Sequence, residues 1–405
     1  MKRIKEKINT IIKLEEEVKS EGKIALERLY NRLLTEGSPI IEDIEGDKEN
    51  DLVTFFYRAE GDMENVLFIP PVDMRNIQEN KMDRLLDTNV WYITYKVRND
   101  VYFGYYFCPN DPLDDDWEKR GDNLVSDKFN NKVTVFKGEN GKKDIERPFV
   151  VMPKAEPRFW TKERSEISKG ELHEHYFESK SFKEPRRIRV YTPFGYNENT
   201  EPYGLLVLTD GDEYINMLSS KAVLDNLIAD KKIPPIAVLF IDSTETRMEE
   251  LKCSDEFSNT VVNELIPWVR NNNNISESPE KTIIGGLSLG GLTAAYLGLK
   301  HSEVFGNVLS QSGSYWYKPE GYEDKENSCW MSSEYEKIDK LPVKFYLNVG
   351  VLEAKPIMID TNINFKELLI SKCYDVHFEE FKSGHDYLCW GETLANGLIS
   401  LIGSK

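Results

Sequence analysis

The sequence predicts an α/β protein with a mostly parallel sheet over residues 161–405, preceded by a β-sandwich over 37–160 and a helix over 1–36. Three observations carry this. Apolar residues recur at helical spacing in the first segment. The second is made of short Val-, Phe-, Tyr- and Trp-rich runs separated by Asp, Asn, Gly and Pro. In the third, β-branched runs alternate with helical patterns.

Ile4, Ile8, Ile11, Leu14 and Val18 open the helical pattern, which runs on through Leu33 and Leu34 until Gly37-Ser38-Pro39 ends it. Such a helix is expected to lie on the protein's own surface or on another subunit, which leaves a homo-oligomer open. Glu15, Glu16 and Glu17 argue against attachment to an anionic bilayer. The runs 52–57, 65–69, 90–97 and 102–107 read as strands of an antiparallel, immunoglobulin-like sandwich that covers a substrate. Trp91, Tyr95 and Tyr105 are expected in its core. The segment 109–116 lacks the glycine and terminal glutamate of a calcium loop and reads as a solvated loop.

A polar connection near 154–170 marks the domain boundary. Beyond it, strands are expected at 188–191, 204–208, 236–241, 282–284, 308–310, 343–349 and 376–381, with helices between most of them. Functional groups then belong at the carboxyl ends of these strands.

Composition narrows the partners. A net charge of -18 would repel a nucleic-acid backbone. Five cysteines without paired short spacing suit neither a zinc site nor a disulfide framework, and point to a reducing compartment. The first residues lack the apolar core of a signal peptide, and no stretch approaches the roughly 18 apolar residues of a membrane span. A cytoplasmic protein with no membrane partner is expected.

The chemistry is organised around Gly286-Leu287-Ser288-Leu289-Gly290, which follows an apolar β-branched run and leads into a small-residue helix. This strand, sharp turn and helix is the pattern of an α/β-hydrolase nucleophile elbow with Ser288 at its tip. A serine hydroxyl needs a base, and the base needs an orienting acid. Of the five histidines, His385 lies on a loop just past the strand ending at Phe381, and His173 and His175 precede the sheet. The acid should fall between Ser288 and His385 in the chain. Glu353, directly after the 343–349 strand, has that address, with Asp360 as its rival. The oxyanion formed by serine attack needs backbone N–H donors. Leu289 supplies one; Asp212, or else Gly211, in the loop after 204–208 supplies the second. No metal or organic cofactor is required.

Taken together, Gly285-Gly-Leu-Ser-Leu-Gly-Gly-Leu292, Val308-Leu-Ser-Gln-Ser-Gly-Ser-Tyr-Trp316, Val351-Leu-Glu-Ala354 and Gly384-His-Asp-Tyr-Leu-Cys-Trp390 resemble the enterochelin (enterobactin) esterase family. The resemblance extends more faintly to the strand at Trp91 and to Asp111-Pro-Leu113. It implies a cytoplasmic serine hydrolase that cuts the ester bonds of a catecholate trilactone siderophore, with a sandwich domain over the active site and iron arriving only with the substrate. It assigns Ser288 and His385, and with less force Glu353. Leu289 stands where the family often has phenylalanine, and Lys355 where glycine is common. An anionic, aromatic substrate calls for cations and flat rings, for which Arg247, Lys355, Tyr315 and Trp316 are the candidates. An esterase for feruloyl or acetyl groups, or a non-catalytic siderophore or glycan binder, are the alternatives.

Overall fold

The computed structural model describes residues 1–72, 76–114, 116–138, 143–322 and 329–403. It divides into two units, Met1–Glu156 with Lys382–Asp386, and Pro157–Phe381 with Tyr387–Lys405.

In the first unit the expected single helix is two helices, Asn9–Glu21 and Lys23–Glu36. Gly22 breaks them apart at φ +60 and ψ -123, a conformation open to glycine through which a helix cannot continue. Ile11, Leu14, Leu29 and Leu33 pack with Phe56, Val90 and Tyr92 of the unit's own sheet. In that sheet, strand Val90–Arg98 lies between Lys2–Arg3 and Asn50–Arg58, and Ile40–Asp43 extends it beyond Asn50–Arg58. A second sheet joins Tyr102–Gly104, Ile145–Val151 and Val133–Phe136, and a third pairs Val66–Ile69 with Tyr106–Pro109.

The run 102–107, expected as one strand, is therefore split at Tyr105. That residue is fully buried, donates its N–H to Pro148 O at 3.1 Å and its hydroxyl to Asp127 at 2.7 Å. Anchoring the tyrosine turns the chain from one sheet to the other. Phe55, Phe68, Tyr95, Tyr105 and Phe107 form an aromatic core at ring separations of 4.3 to 6.5 Å. Nor is 109–116 simply solvated. Asp111 accepts two hydrogen bonds from the buried Arg120, at 2.6 and 2.9 Å, so its carboxylate pins the loop from inside.

The second unit is built on one sheet of eight strands: Glu171–Phe177 (β1), Arg186–Thr192 (β2), Gly204–Thr209 (β3), Ile236–Ile241 (β4), Thr282–Leu287 (β5), Asn307–Gln311 (β6), Lys344–Gly350 (β7) and Asp375–Phe381 (β8). Their order is β1-β2-β4-β3-β5-β6-β7-β8. β2 is antiparallel to both of its neighbours, β1 and β4, and every pairing from β4 through β8 is parallel.

Near-continuous apolar runs allow both faces to be covered. Leu205, Val207, Leu239 and Ile241 point to one core with the helix Leu289–Lys300, whereas Leu206, Leu208, Val238 and Phe240 point to the other with the helices Ser220–Ala229 and Tyr387–Ile402. This period of two assigns alternate side chains to opposite faces, both of them apolar, and leaves polar groups to the strand ends. His173 and His175, expected before the sheet, instead lie in its edge strand β1. Among the described residues, no helix is long and apolar enough to cross a membrane.

Candidate active site

Ser288 occupies the junction of β5 and the helix Leu289–Lys300 with φ +55 and ψ -115. A serine in this region carries strain of about 1–3 kcal/mol, tolerated only where its surroundings over-determine it. They do so here. The Ser288 N–H donates to Gln311 O at 2.8 Å, and its carbonyl accepts from Ser314 at 2.9 Å and Leu292 at 3.2 Å. The flanking glycines make the sharp turn sterically feasible. A Cβ on Gly286 would lie 2.4 Å from the backbone of Gly290, and one on Gly290 would lie 2.4 Å from Thr209 Oγ1. The Ser288 hydroxyl is partly exposed and 3.3 Å from that of Ser314.

The same approach sets the second candidate donor loop beside the turn, since Gly290 abuts both Thr209 and Asp210 at the end of β3. Asp210 adopts φ +56, and a helix begins at Gly211. Gly211 itself has no room for a side chain, because a Cβ would meet Asp242 Oδ1 at 2.8 Å and Phe240 Cβ at 2.9 Å. The Asp212 carboxylate pairs with Arg187 at 2.8 Å and Arg189 at 3.2 Å. Leu289 heads its helix, where the first N–H groups have no intrahelical acceptor.

Glu353 follows β7 and is buried, 4% exposed. Its Oε1 accepts from Gly350 N at 2.9 Å and from Ser312 Oγ at 2.5 Å. Ser312 in turn accepts from Trp390 Nε1 at 3.0 Å and is fixed through its own N–H by Asn348. Gln311 reaches the same helix, donating to Trp390 O at 2.7 Å and Thr393 Oγ1 at 2.6 Å. This support was not read from the sequence. Its signal was present in the polar run Ser310-Gln311-Ser312 directly after the apolar Val308-Leu309, where buried polar groups demand partners. Asp360 sits instead in the first turn of helix Ile359–Ser371, partly exposed and 3.4 Å from Lys355.

His385 is partly buried within the segment Lys382–Asp386, which belongs with the N-terminal unit. Its neighbour Asp386 is 1% exposed.

The candidate substrate contacts fare unequally. Arg247 is bound by the buried Asp210 through two hydrogen bonds, at 2.6 and 2.7 Å, so its charge is already matched. Tyr315 is not a surface ring: it is fully buried, stacks obliquely on Phe365 at 4.5 Å and donates to Ser310. Core packing has claimed the ring that the sequence reading assigned to substrate. Trp316 is 40% exposed and the Lys355 side chain is 70% exposed.

Next to this cluster, burial and then the Asp210 charge raise the Glu213 carboxyl to about 7. Among the described residues its Oε2 has no hydrogen-bond partner, which favours the neutral acid.

A mixed sheet in this order, with a serine on a strained strand-to-helix turn after β5, defines an α/β-hydrolase. Residues 179–401 match the putative esterase family, more than half of the chain, and residues 52–161 match the N-terminal domain of enterochelin esterases. The chain belongs to the esterase family, and within it to the enterochelin esterases. It is 28% identical over 344 residues to the iron(III) enterobactin esterase of Escherichia coli K12, covering 81% of this chain and 83% of that protein. The iron(III) salmochelin esterase of E. coli O6:H1 is 27% identical over 394 residues, covering 90% and 91%. The crystal structure of the enterobactin esterase from Shigella flexneri, determined in the presence of enterobactin, matches with a TM-score of 0.72 at 27% identity, covering 90% of this chain and 95% of that one.

Proposed function

We propose that the protein hydrolyses the ester bonds of a catecholate trilactone siderophore of the enterobactin type, releasing iron in the cytoplasm. The observation that carries this reading is the match of residues 52–161 to the N-terminal domain of enterochelin esterases, together with an alignment to an iron(III) enterobactin esterase that covers 81% of this chain and 83% of that protein. The intact serine turn in the α/β part supports it.

In this reading His385 takes the Ser288 proton as the hydroxyl oxygen attacks the ester carbonyl. The tetrahedral oxyanion lies against the amides of Leu289 and Asp212, with Gly211 letting the second donor loop approach. Each such donor is typically worth about 3 kcal/mol of barrier. The imidazolium then protonates the departing serine alkoxide, leaving an acyl-enzyme. Water, deprotonated by the same imidazole, attacks the acyl carbon and returns the free acid and Ser288. Glu353 orients the imidazole; its burial and fixed carboxylate favour it over Asp360 for that task. No cofactor enters these steps, and any iron belongs to the substrate. Trp316 and Lys355, being exposed, remain the candidate contacts to a flat anionic ligand, with Arg247 acting as part of a neutral pair.

The finer architecture follows the same reading: a helical segment over 1–36, an immunoglobulin-like sandwich over 37–160 that covers substrate, and the hydrolase domain over 161–405. A homo-oligomer contact would fall to the apolar residues that the helical segment leaves exposed, Ile12, Ile24 and Leu34, and neither nucleic acid nor membrane is a partner.

The test is mass spectrometry of products from a cyclic tri-serine catecholate lactone, free and ferric, beside feruloyl and acetyl esters. Ring opening to the linear trimer is expected at a kcat/KM at least tenfold above that for the simple esters; the reverse preference would replace the siderophore with another acyl group. A serine-directed organophosphonate should add covalently to Ser288. Folded protein that stays unlabelled would make it a binder.

A further inference from the structure

The five residues that carry His385 are held by side chains and backbone of the N-terminal unit, although they are continuous with β8 before them and the last helix after them. Three anchors bracket the histidine. Three residues before it, Lys382 O accepts the Tyr102 N–H at 3.1 Å and the Lys382 ammonium lies 3.5 Å from Asp100. One residue before it, Gly384 packs so closely on Pro71 that a Cβ would lie 2.9 Å from both Pro71 Cβ and Pro71 O. One residue after it, the buried Asp386 carboxylate accepts the Gly104 N–H at 2.9 Å and pairs with Arg147 at 3.1 Å.

The last anchor is shaped for its occupants. A Cβ on Gly104 would fall 2.2 Å from Arg147 Nε and 3.0 Å from Asp386 Oδ2, so the glycine leaves room for the charge pair and at the same time donates to it. Arg147 also lies 5.4 Å from the centroid of the Tyr106 ring, which limits where the guanidinium can go. Buried carboxylates left without their cation are strongly disfavoured, so losing Arg147 would drive Asp386 to find a new position and draw the adjoining residue with it.

We infer that Arg147 and Gly104 are positioning residues for the general base, acting through Asp386 to fix the loop of His385. The inference rests on His385 being that base. It gives the N-terminal unit a part in turnover that is separate from covering a substrate. A shift of about 1 Å in a catalytic group is enough to cost roughly 100-fold in rate.

The experiment uses the full chain and a small p-nitrophenyl ester, chosen because its binding asks little of a large substrate pocket. Arg147→Ala is expected to lower kcat about 10- to 100-fold with KM within about twofold, and to slow organophosphonate labelling of Ser288 in parallel. Arg147→Lys keeps the cation and should recover most of kcat; a merely structural role for the arginine would show equal loss in both variants. Should Arg147→Ala not fold, Asp386→Asn answers the same question, since it keeps an oxygen for the Gly104 N–H and loses only the charge pair. Wild-type kcat in folded Arg147→Ala, or in Asp386→Asn where Arg147→Ala does not fold, would overturn the inference provided His385→Ala is inactive. Wild-type kcat in His385→Ala would instead remove the base assignment, and the anchoring role with it.

Discussion

The nucleophile turn and the histidine loop are both tight and both depend on glycines, yet they are held by opposite means. The Ser288 turn is secured by its nearest relations in the sheet: Gly286 against Gly290, and backbone bonds to Gln311 and Ser314 at the end of and just beyond β6. The His385 loop is secured by residues some 280 positions earlier in the chain, Gly104 foremost. Local anchoring makes the first inseparable from the fold of the sheet. Remote anchoring makes the second adjustable without unfolding the sheet. A change to each loop should therefore have different consequences even when the chemical change is the same.

Alanine is that common change. Gly286→Ala forces a Cβ into the backbone of Gly290, which has no side chain to swing away, and the overpacking penalty of about 1–3 kcal/mol or more adds to an already strained turn. The expected result is a large drop in melting temperature together with loss of Ser288 labelling. Gly384→Ala pushes against Pro71 instead, at 2.9 Å rather than 2.4 Å, a milder overlap that a small displacement of the loop relieves. It is expected to keep the melting temperature within a few degrees while kcat falls about 10- to 100-fold. Calorimetry and ester kinetics on the pair decide it; a Gly384→Ala protein as unstable as Gly286→Ala would show that the two loops are equally integral to the fold.

The acid belongs to the locally anchored side. Glu353→Gln removes the charge that stabilises the imidazolium and is expected to lower kcat about 10,000-fold, in the range seen when a triad acid is neutralised. Asp360→Asn, on a partly exposed helix start, is expected to stay within about twofold. Equal losses, or the reverse order, would return the acid role to Asp360.

What could be read from the sequence divides along the same line. The parallel strands announced themselves because both of their faces are buried, which forces continuous apolar runs such as 236–241. The serine turn was legible because its steric demands are met by adjacent glycines. Strand β1 was not, since Glu171–Phe177 is a mostly exposed edge whose charged residues give no apolar alternation. Features fixed by distant partners were equally hidden. Tyr315 has a polar tip that reads as surface until Phe365 and Ser310 enclose it, and Arg247 reads as an available cation until Asp210, 37 residues away, neutralises it. The segment 109–116 looks uniformly acidic and solvated, and only the fold shows that Asp111 turns inward to Arg120.

The smallest expected effect concerns an electrostatic cost carried by the nucleophile side. Glu213 stands beside Asp210, and burial followed by that neighbour's charge raises its carboxyl from the ordinary 4.5 to about 7. Below about pH 4.5 folded and unfolded chains are both protonated at this residue and it contributes no pH dependence. Between pH 4.5 and 7 the unfolded chain releases the proton first while the folded chain retains it, so this group makes stability fall as pH rises. Above pH 7 the folded chain bears the carboxylate and the full penalty, on the order of 1–3 kcal/mol. Glu213→Gln removes the penalty without changing the shape. Its melting temperature should match wild type near pH 4.5, exceed it by a margin that grows up to about pH 7, and hold that margin at pH 8. A constant margin across the range would mean that the gain comes from packing or from the new amide hydrogen bonds, and that Glu213 is ionised throughout.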